Sequence, residues 1–221
     1  MALWFCLNSS ASTDRRIGCP AVEEIAPGIW HWTAPHPRIG VDVSSYYLAE
    51  PRVLLDPLAP DDVVERLEEL GPPREILLTC RHHWRDCSKL TERFGATVLA
   101  SRPGMHEFSG DQPVEPFDFG DELAGGAVVA HEVDSISPDE TALHIPAASA
   151  LAVADGVMHY DGLSFVPDNL MDDPEETKEG LRSAYRRLTA ELDFDHLLTA
   201  HGKPVVGGAR EKLRDFAENG G

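Results

Sequence analysis

Three short polar turns, each directly behind an apolar run, hold most of the side chains in this 221-residue chain that can do chemistry. Ile76-Leu77-Leu78-Thr79 runs into Cys80-Arg81-His82-His83-Trp84-Arg85-Asp86. Leu151-Ala152-Val153-Ala154 runs into Asp155-Gly156, and Leu197-Leu198-Thr199-Ala200 into His201-Gly202. Thiolate, imidazole and carboxylate are groups that zinc accepts, and a catalytic zinc needs three protein ligands plus one open position for water. Cys80, His82, Asp155 and His201 carry groups of these types. An ion so held lowers the pKa of its water and polarises a carbonyl or phosphoryl oxygen. Each residue also has a plainer reading. Cys80 serves equally as a small buried apolar residue. His82 would then cap the following helix or bond a buried carbonyl. Arg85 either grips Asp155 through two hydrogen bonds or points to solvent from a helix start. His83, next to His82, is expected to point the other way and to be structural, and Asp86 is expected to be an N-cap.

Those turns can meet only if something brings them to one place. In a sheet flanked by helices the carboxyl ends of the strands share a rim, where ligands gather. The sequence supplies suitable elements. Residues 22–25, 29–33, 44–48 and 53–55 read as strands, with Pro27-Gly28 marking a turn. Pro60-Asp61-Asp62 opens a helix whose Val63, Val64, Leu67 and Leu70 share a face, and Gly71-Pro72-Pro73 ends it. A strand through Leu78, a helix over 86–94 and a strand over 96–100 follow. The second half repeats the style, with strands at 127–133, 141–145, 150–154 and 196–199 and helices at 173–192 and 209–216. Asp173-Pro174-Glu175-Glu176 is a strong helix start: an oxygen at the cap, Pro first, Glu in the first turn. Rim loops at 33–43, 102–110 and 156–172 would set specificity. One α/β domain over 21–221, behind a loosely ordered extension over 1–20, accounts for the pattern.

Composition narrows the partners. With 38 acidic against 19 basic residues, the formal charge of −19 repels nucleic-acid phosphates and anionic membranes alike. That leaves a small molecule as the expected substrate or ligand and leaves the oligomeric state open. Four cysteines do not form a secreted disulfide framework in a chain this long. The apolar opening Met1-Ala2-Leu3-Trp4-Phe5-Cys6-Leu7 lacks a basic flank and turns polar at Asn8, so it does not read as a signal peptide. The expected location is the cytoplasm.

The strings resemble the metallo-β-lactamase superfamily, the αββα-sandwich metallo-hydrolases, over nearly the whole chain. Leu55-Asp56 stands where that family ends an early strand on an acid. Residues 78–85 stand where it writes Leu-Thr-His-x-His-x-Asp-His, Ala154-Asp155-Gly156 matches its metal-bridging Gly-Asp, and Ala200-His201-Gly202 its closing His-Gly. The resemblance implies a four-layer αββα fold and a metal-dependent hydrolase. The departures are equally specific. Cys80 replaces the first histidine, His82 keeps the second, Trp84 replaces the aspartate and Arg85 the third histidine. Ser135-Ile136 stands where Gly-His would precede Ser137-Pro138-Asp139-Glu140. What is left is one set, Cys80, His82 and Asp155, and a second with only Asp155 and His201.

Two functions follow from different classes. One is a hydrolase with at most one zinc or iron ion, cleaving an ester, lactone, amide or phosphoester, with Asp155, His201 and Arg85 assisting. The other is a metal-free relative that binds or regulates without catalysis. A thiol function for Cys80 and Cys87 is a third, and it requires a depressed thiol pKa.

Overall fold

The computed structural model describes residues 22–220, so the expected extension over 1–20, with Cys6 and Cys19, lies outside the described residues. Seven strands lie in chain order across a first sheet: β1 (Glu23–Ala26), β2 (Ile29–Pro35), β3 (Asp42–Leu48), β4 (Val53–Leu55), β5 (Glu75–Leu77), β6 (Thr97–Ser101) and β7 (Val114–Phe117). Strands β1 to β4 are antiparallel, and β4 to β7 are parallel. Parallel neighbours need long crossovers. Helix α1 (Asp61–Leu70) supplies the one from β4 to β5, and α2 (Cys87–Phe94) the one from β5 to β6.

The second sheet is built from β8 (Glu122–Leu123), β9 (Val128–Glu132), β10 (Thr141–Ile145) and β11 (Ala150–Val153). A small hairpin, β12 (Met158–His159) with β13 (Leu163–Ser164), precedes helix α3 (Pro174–Glu191). Then come β14 (His196–Thr199), β15 (Val205–Val206) and α4 (Ala209–Asn219). The spatial order is β15-β14-β11-β10-β9-β8. Only β11 and β14 pair in parallel, with α3 as their crossover.

Alternating side chains sort the core into layers, because successive residues of a strand face opposite sides. On β3, Tyr46 and Leu48 join Leu55 and Leu77 against Leu143, Ile145, Ala152 and Leu198 of the second sheet. Tyr47 and Leu54 face the other way, onto Val63, Leu67 and Leu90 of α1 and α2. Leu151 and Leu197 pack outward onto Leu181, Leu188 and Leu213 of α3 and α4. The layers therefore run helix, sheet, sheet, helix, the αββα sandwich that the family resemblance implied.

Two-residue strands such as β8, β15 and the β12–β13 hairpin give no period to detect, and the sequence reading missed them along with β7. The start of α3 was legible: the Asp173 carboxylate accepts the Glu176 N–H at 3.1 Å. Asp173→Ala should lower unfolding free energy by about 1 kcal/mol in urea titrations, while Asp172→Ala one residue earlier should change it by less than about 0.5 kcal/mol.

Candidate metal centre

The three polar turns converge where the two sheets meet. Strand β5 delivers Thr79 and Cys80, β11 delivers Asp155, and β14 delivers His201. Parallel pairing of Val153 with Thr199 puts the last two at one height. The Thr141 N–H of the second sheet donates to the Thr79 carbonyl at 2.8 Å, and the Ser44 N–H of the first donates to the Ala200 carbonyl at 2.9 Å. These bonds lock the rim across the sandwich.

After Cys80 the chain winds into a 3-10 turn, Arg81–Trp84, closed by the His83 N–H on the Cys80 carbonyl at 3.1 Å. A 3-10 turn repeats every three residues, so positions 80 and 83 stack on one face. The sequence string had paired Cys80 with His82 and turned His83 away. The structure does the opposite: His83 is buried beside Cys80 and Asp155, and His82 is exposed on the wall of the cleft. The spacing of a thiol and an imidazole three apart was the available signal.

His83 joins two acids. Its Nδ1 lies 3.0 Å from Asp56 Oδ2 and its Nε2 lies 3.1 Å from Asp155 Oδ1. Asp56 is itself fixed, its Oδ1 accepting the Thr79 N–H at 2.9 Å and its Oδ2 the Thr79 hydroxyl at 2.5 Å. His201 Nε2 approaches the same Asp155 oxygen at 3.0 Å, and Cys80 Sγ stands 3.9 Å from Asp155 Oδ2. One carboxylate oxygen thus serves two imidazoles.

Burial alone would raise the Asp155 pKa, but His83 and the hydrogen bonds from His201 and His83 hold it well below the usual range. The same contest at Asp56 also ends low, through His83, Arg85 and Thr79. Burial works against a charged His83, yet Cys80, Asp56 and Asp155 keep it well above the ordinary imidazole value. Burial pushes the Cys80 thiol up to about 12, against the pull of His83, the opposite direction to the one a free reactive thiol requires. Cys87 is driven up too, and packs in the core under α2.

Arg85 does not grip Asp155. It sits at φ 40°, a left-handed conformation costing about 1–3 kcal/mol for a side-chain-bearing residue. Its Nη1 donates to the carbonyls of Ser44 and Asp56. Asp86 holds the cap position of α2 without capping it, and its Oδ2 accepts the Ala59 N–H at 2.8 Å instead. Trp84 stacks obliquely on Phe108, ring centroids 5.9 Å apart, and lines the neighbouring lobe.

Asp155, His83 and His201 open into a cleft of about 650 Å³. Two of the rim loops wall it, one with His36, Arg38, Ile39, Val41 and Val43, the other with Met158, Tyr160, Val166, Pro167 and Leu170. The third, through Glu107 and Phe108, borders the adjoining lobe.

No protein-family model matches the sequence, and no curated protein matches it either. Solved structures do. DIM-1 metallo-beta-lactamase shares 14% identity over 91% of this chain and 98% of that one, at a TM-score of 0.69. The chain has the metallo-β-lactamase fold. TTHA1623, solved in a di-iron-bound form, is 18% identical over 90% of this chain and 100% of its own, at a TM-score of 0.59. Rubredoxin oxygen:oxidoreductase from Desulfovibrio gigas is 13% identical over 90% of this chain, which spans 62% of that protein, at a TM-score of 0.62. The fold thus holds a di-iron centre in TTHA1623, and among the described residues here Cys80, His83 and Asp155 form a group with the donor types to hold an ion.

Behind Asp155 lies a residue the sequence reading passed over. Glu140 is fully buried, its Oε1 accepts the Gly156 N–H at 2.7 Å, and its Oε2 has no partner among the described residues. Burial first, then Asp155, raise its pKa well above the usual glutamate value, against the pull of the Gly156 N–H. The folded chain therefore keeps a proton that the unfolded chain releases. The resulting stability is fully present below the ordinary glutamate pKa and is lost as pH rises through the folded one. Glu140→Gln should flatten that loss, so that its stability relative to wild type rises with pH, read from urea unfolding at several pH values.

Proposed function

We propose that this chain is a metal-dependent hydrolase-like protein holding one zinc or iron ion on Cys80, His83 and Asp155. The observation that carries the reading is the orientation of His83. Metal-binding histidines commonly give their second ring N–H to a carboxylate, which fixes the tautomer and the ring plane. Asp56 stands 3.0 Å from His83 Nδ1, leaving Nε2 directed at the Asp155 side. The three donor atoms lie within 4.8 Å of one another, and thiolate, imidazole and carboxylate form a set that zinc accepts.

A divalent ion there supplies a Lewis acid and a water acidic enough to ionise near neutral pH. The chain's own residues do the rest. His201, its side chain 14% exposed, presents Nε2 beside Asp155 at the cleft and can hold or pass a proton there. The apolar wall keeps water away from a bound small molecule, and Arg38 and Arg85 draw an anionic one in. A second ion would find only Asp155 and His201 as ligands, with the fixed charge of Arg85 on the same wall opposing it. The reaction class proposed is hydrolysis of an ester, lactone, amide or phosphoester in the cytoplasm. A net charge of −19 argues against nucleic acid or an anionic membrane as partner.

One observation favours a metal-free binding protein instead. The polar set is satisfied without an ion, since both imidazoles bond Asp155 and Asp56 closes the other side of His83. Elemental mass spectrometry after zinc or iron loading separates the two. We expect about one equivalent per chain, affinity lowered at least ~10-fold by His83→Ala, and no change with His82→Ala. Wild-type protein that takes up no metal would leave the binding reading. Loss with His82→Ala but not His83→Ala would overturn the ligand set.

A further inference from the structure

Five large apolar side chains are exposed among the described residues, and four of them, Ile39, Val41, Tyr160 and Leu170, line this one cleft from the two rim loops. Exposed apolar residues scattered singly need no explanation, whereas a cluster rimmed by polar groups marks a binding surface. The polar side of the cleft is as uneven. The chain carries twice as many acids as bases, 38 against 19. Yet His36, Arg38, His82 and Arg85 line both this cleft and a polar lobe of about 380 Å³ beside it. They form a basic belt between an apolar chamber and a polar one.

Neither arginine of the belt forms an ion pair among the described residues, although Arg85 lies close enough to the buried Asp56 to help His83 hold its pKa down against burial. Arg85 bonds backbone carbonyls, and no carboxylate pairs with it or with Arg38 among the described residues. Arg81 in the polar lobe is different, held by Asp139 and close to Glu107. Two guanidinium groups without an ion-pair partner at one place on a strongly acidic surface favour anions there, and the Asp155 carboxylate in the same cleft has its own imidazole partners. Guanidinium binds carboxylate and phosphoryl oxygens alike through parallel hydrogen bonds. The chamber volume of about 650 Å³ lies in the range that encloses a small organic ligand rather than a polymer.

We propose that the cleft binds a small amphipathic anion, its carboxylate or phosphoryl head on the belt of Arg38, His82 and Arg85 and its apolar body against Ile39, Val41, Tyr160 and Leu170. This takes the cleft assigned above as the substrate site, rests on that reading, and names the substrate class it would serve. The head is held by side chains and does not require the ion.

Calorimetric titration with octanoate, octyl phosphate, octanol and octyltrimethylammonium tests it, on wild-type protein both treated with chelator and loaded with zinc. At least one anion should bind ~10-fold or more tightly than octanol in the chelator-treated protein, and the cation should bind most weakly. The tighter anion identifies the head group. Arg38→Ala, at an exposed loop position, should weaken the anions about 5–10-fold and leave octanol unchanged. Leu170→Asp should weaken every probe that binds. Equal affinity for octanol and both anions, tight binding of the cation, or no anion binding at millimolar concentration would overturn the proposal. Anion preference without metal uptake would sink the hydrolase reading alone, and metal uptake without anion preference would sink this one alone.

Discussion

A single carboxylate oxygen governs the rim of this sandwich. Asp155 Oδ1 accepts from His83 Nε2 of the first sheet's motif turn and from His201 Nε2 of the second sheet's β14 turn. Three chain segments more than 40 residues apart in sequence meet on that atom, and only the shared edge of two packed sheets brings them there. Paired this way, a partly exposed carboxylate and a buried imidazole stabilise each other; removing either partner leaves the other as an uncompensated charge in a poorly solvated place. The network is therefore structural and chemical together.

The surroundings protect that arrangement. Thr79 pins Asp56 with a backbone and a hydroxyl donor, and Asp56 in turn orients His83. The β12–β13 hairpin leans on the His201 turn, with His159 N–H on the His201 carbonyl at 3.1 Å and Lys203 N–H on the His159 carbonyl at 2.7 Å. That close approach needs Gly202, at φ +83°, because a Cβ there would lie 2.1 Å from the His159 oxygen. Arg85 adds a positive charge to the cleft from a backbone conformation that few residues adopt willingly.

How much of this the sequence revealed depended on what each residue answers to. The alternation of strands and helices pointed to a layered α/β domain and the family resemblance supplied the αββα order, while the cap and Pro at the start of α3 are read within a few positions. Asp155 and His201 end long apolar strands, so their place at the rim could be inferred from strand direction alone. The motif turn could not be read that way. Whether 82 or 83 faces the acids depends on a 3-10 winding fixed by tertiary contacts, and a family string that departs at three of its positions no longer states the phase. Glu140 escaped for a related reason: an acid after Pro138-Asp139 looks like a surface turn until the sheets close over it.

The central claim is that Cys80, His83 and Asp155 hold one ion together. X-ray absorption at the zinc edge of the loaded protein tests it without reference to activity. The expected result is a shell of one sulfur at about 2.3 Å with nitrogen and oxygen neighbours near 2.0–2.1 Å. A shell of nitrogen and oxygen alone, with no sulfur, would contradict it.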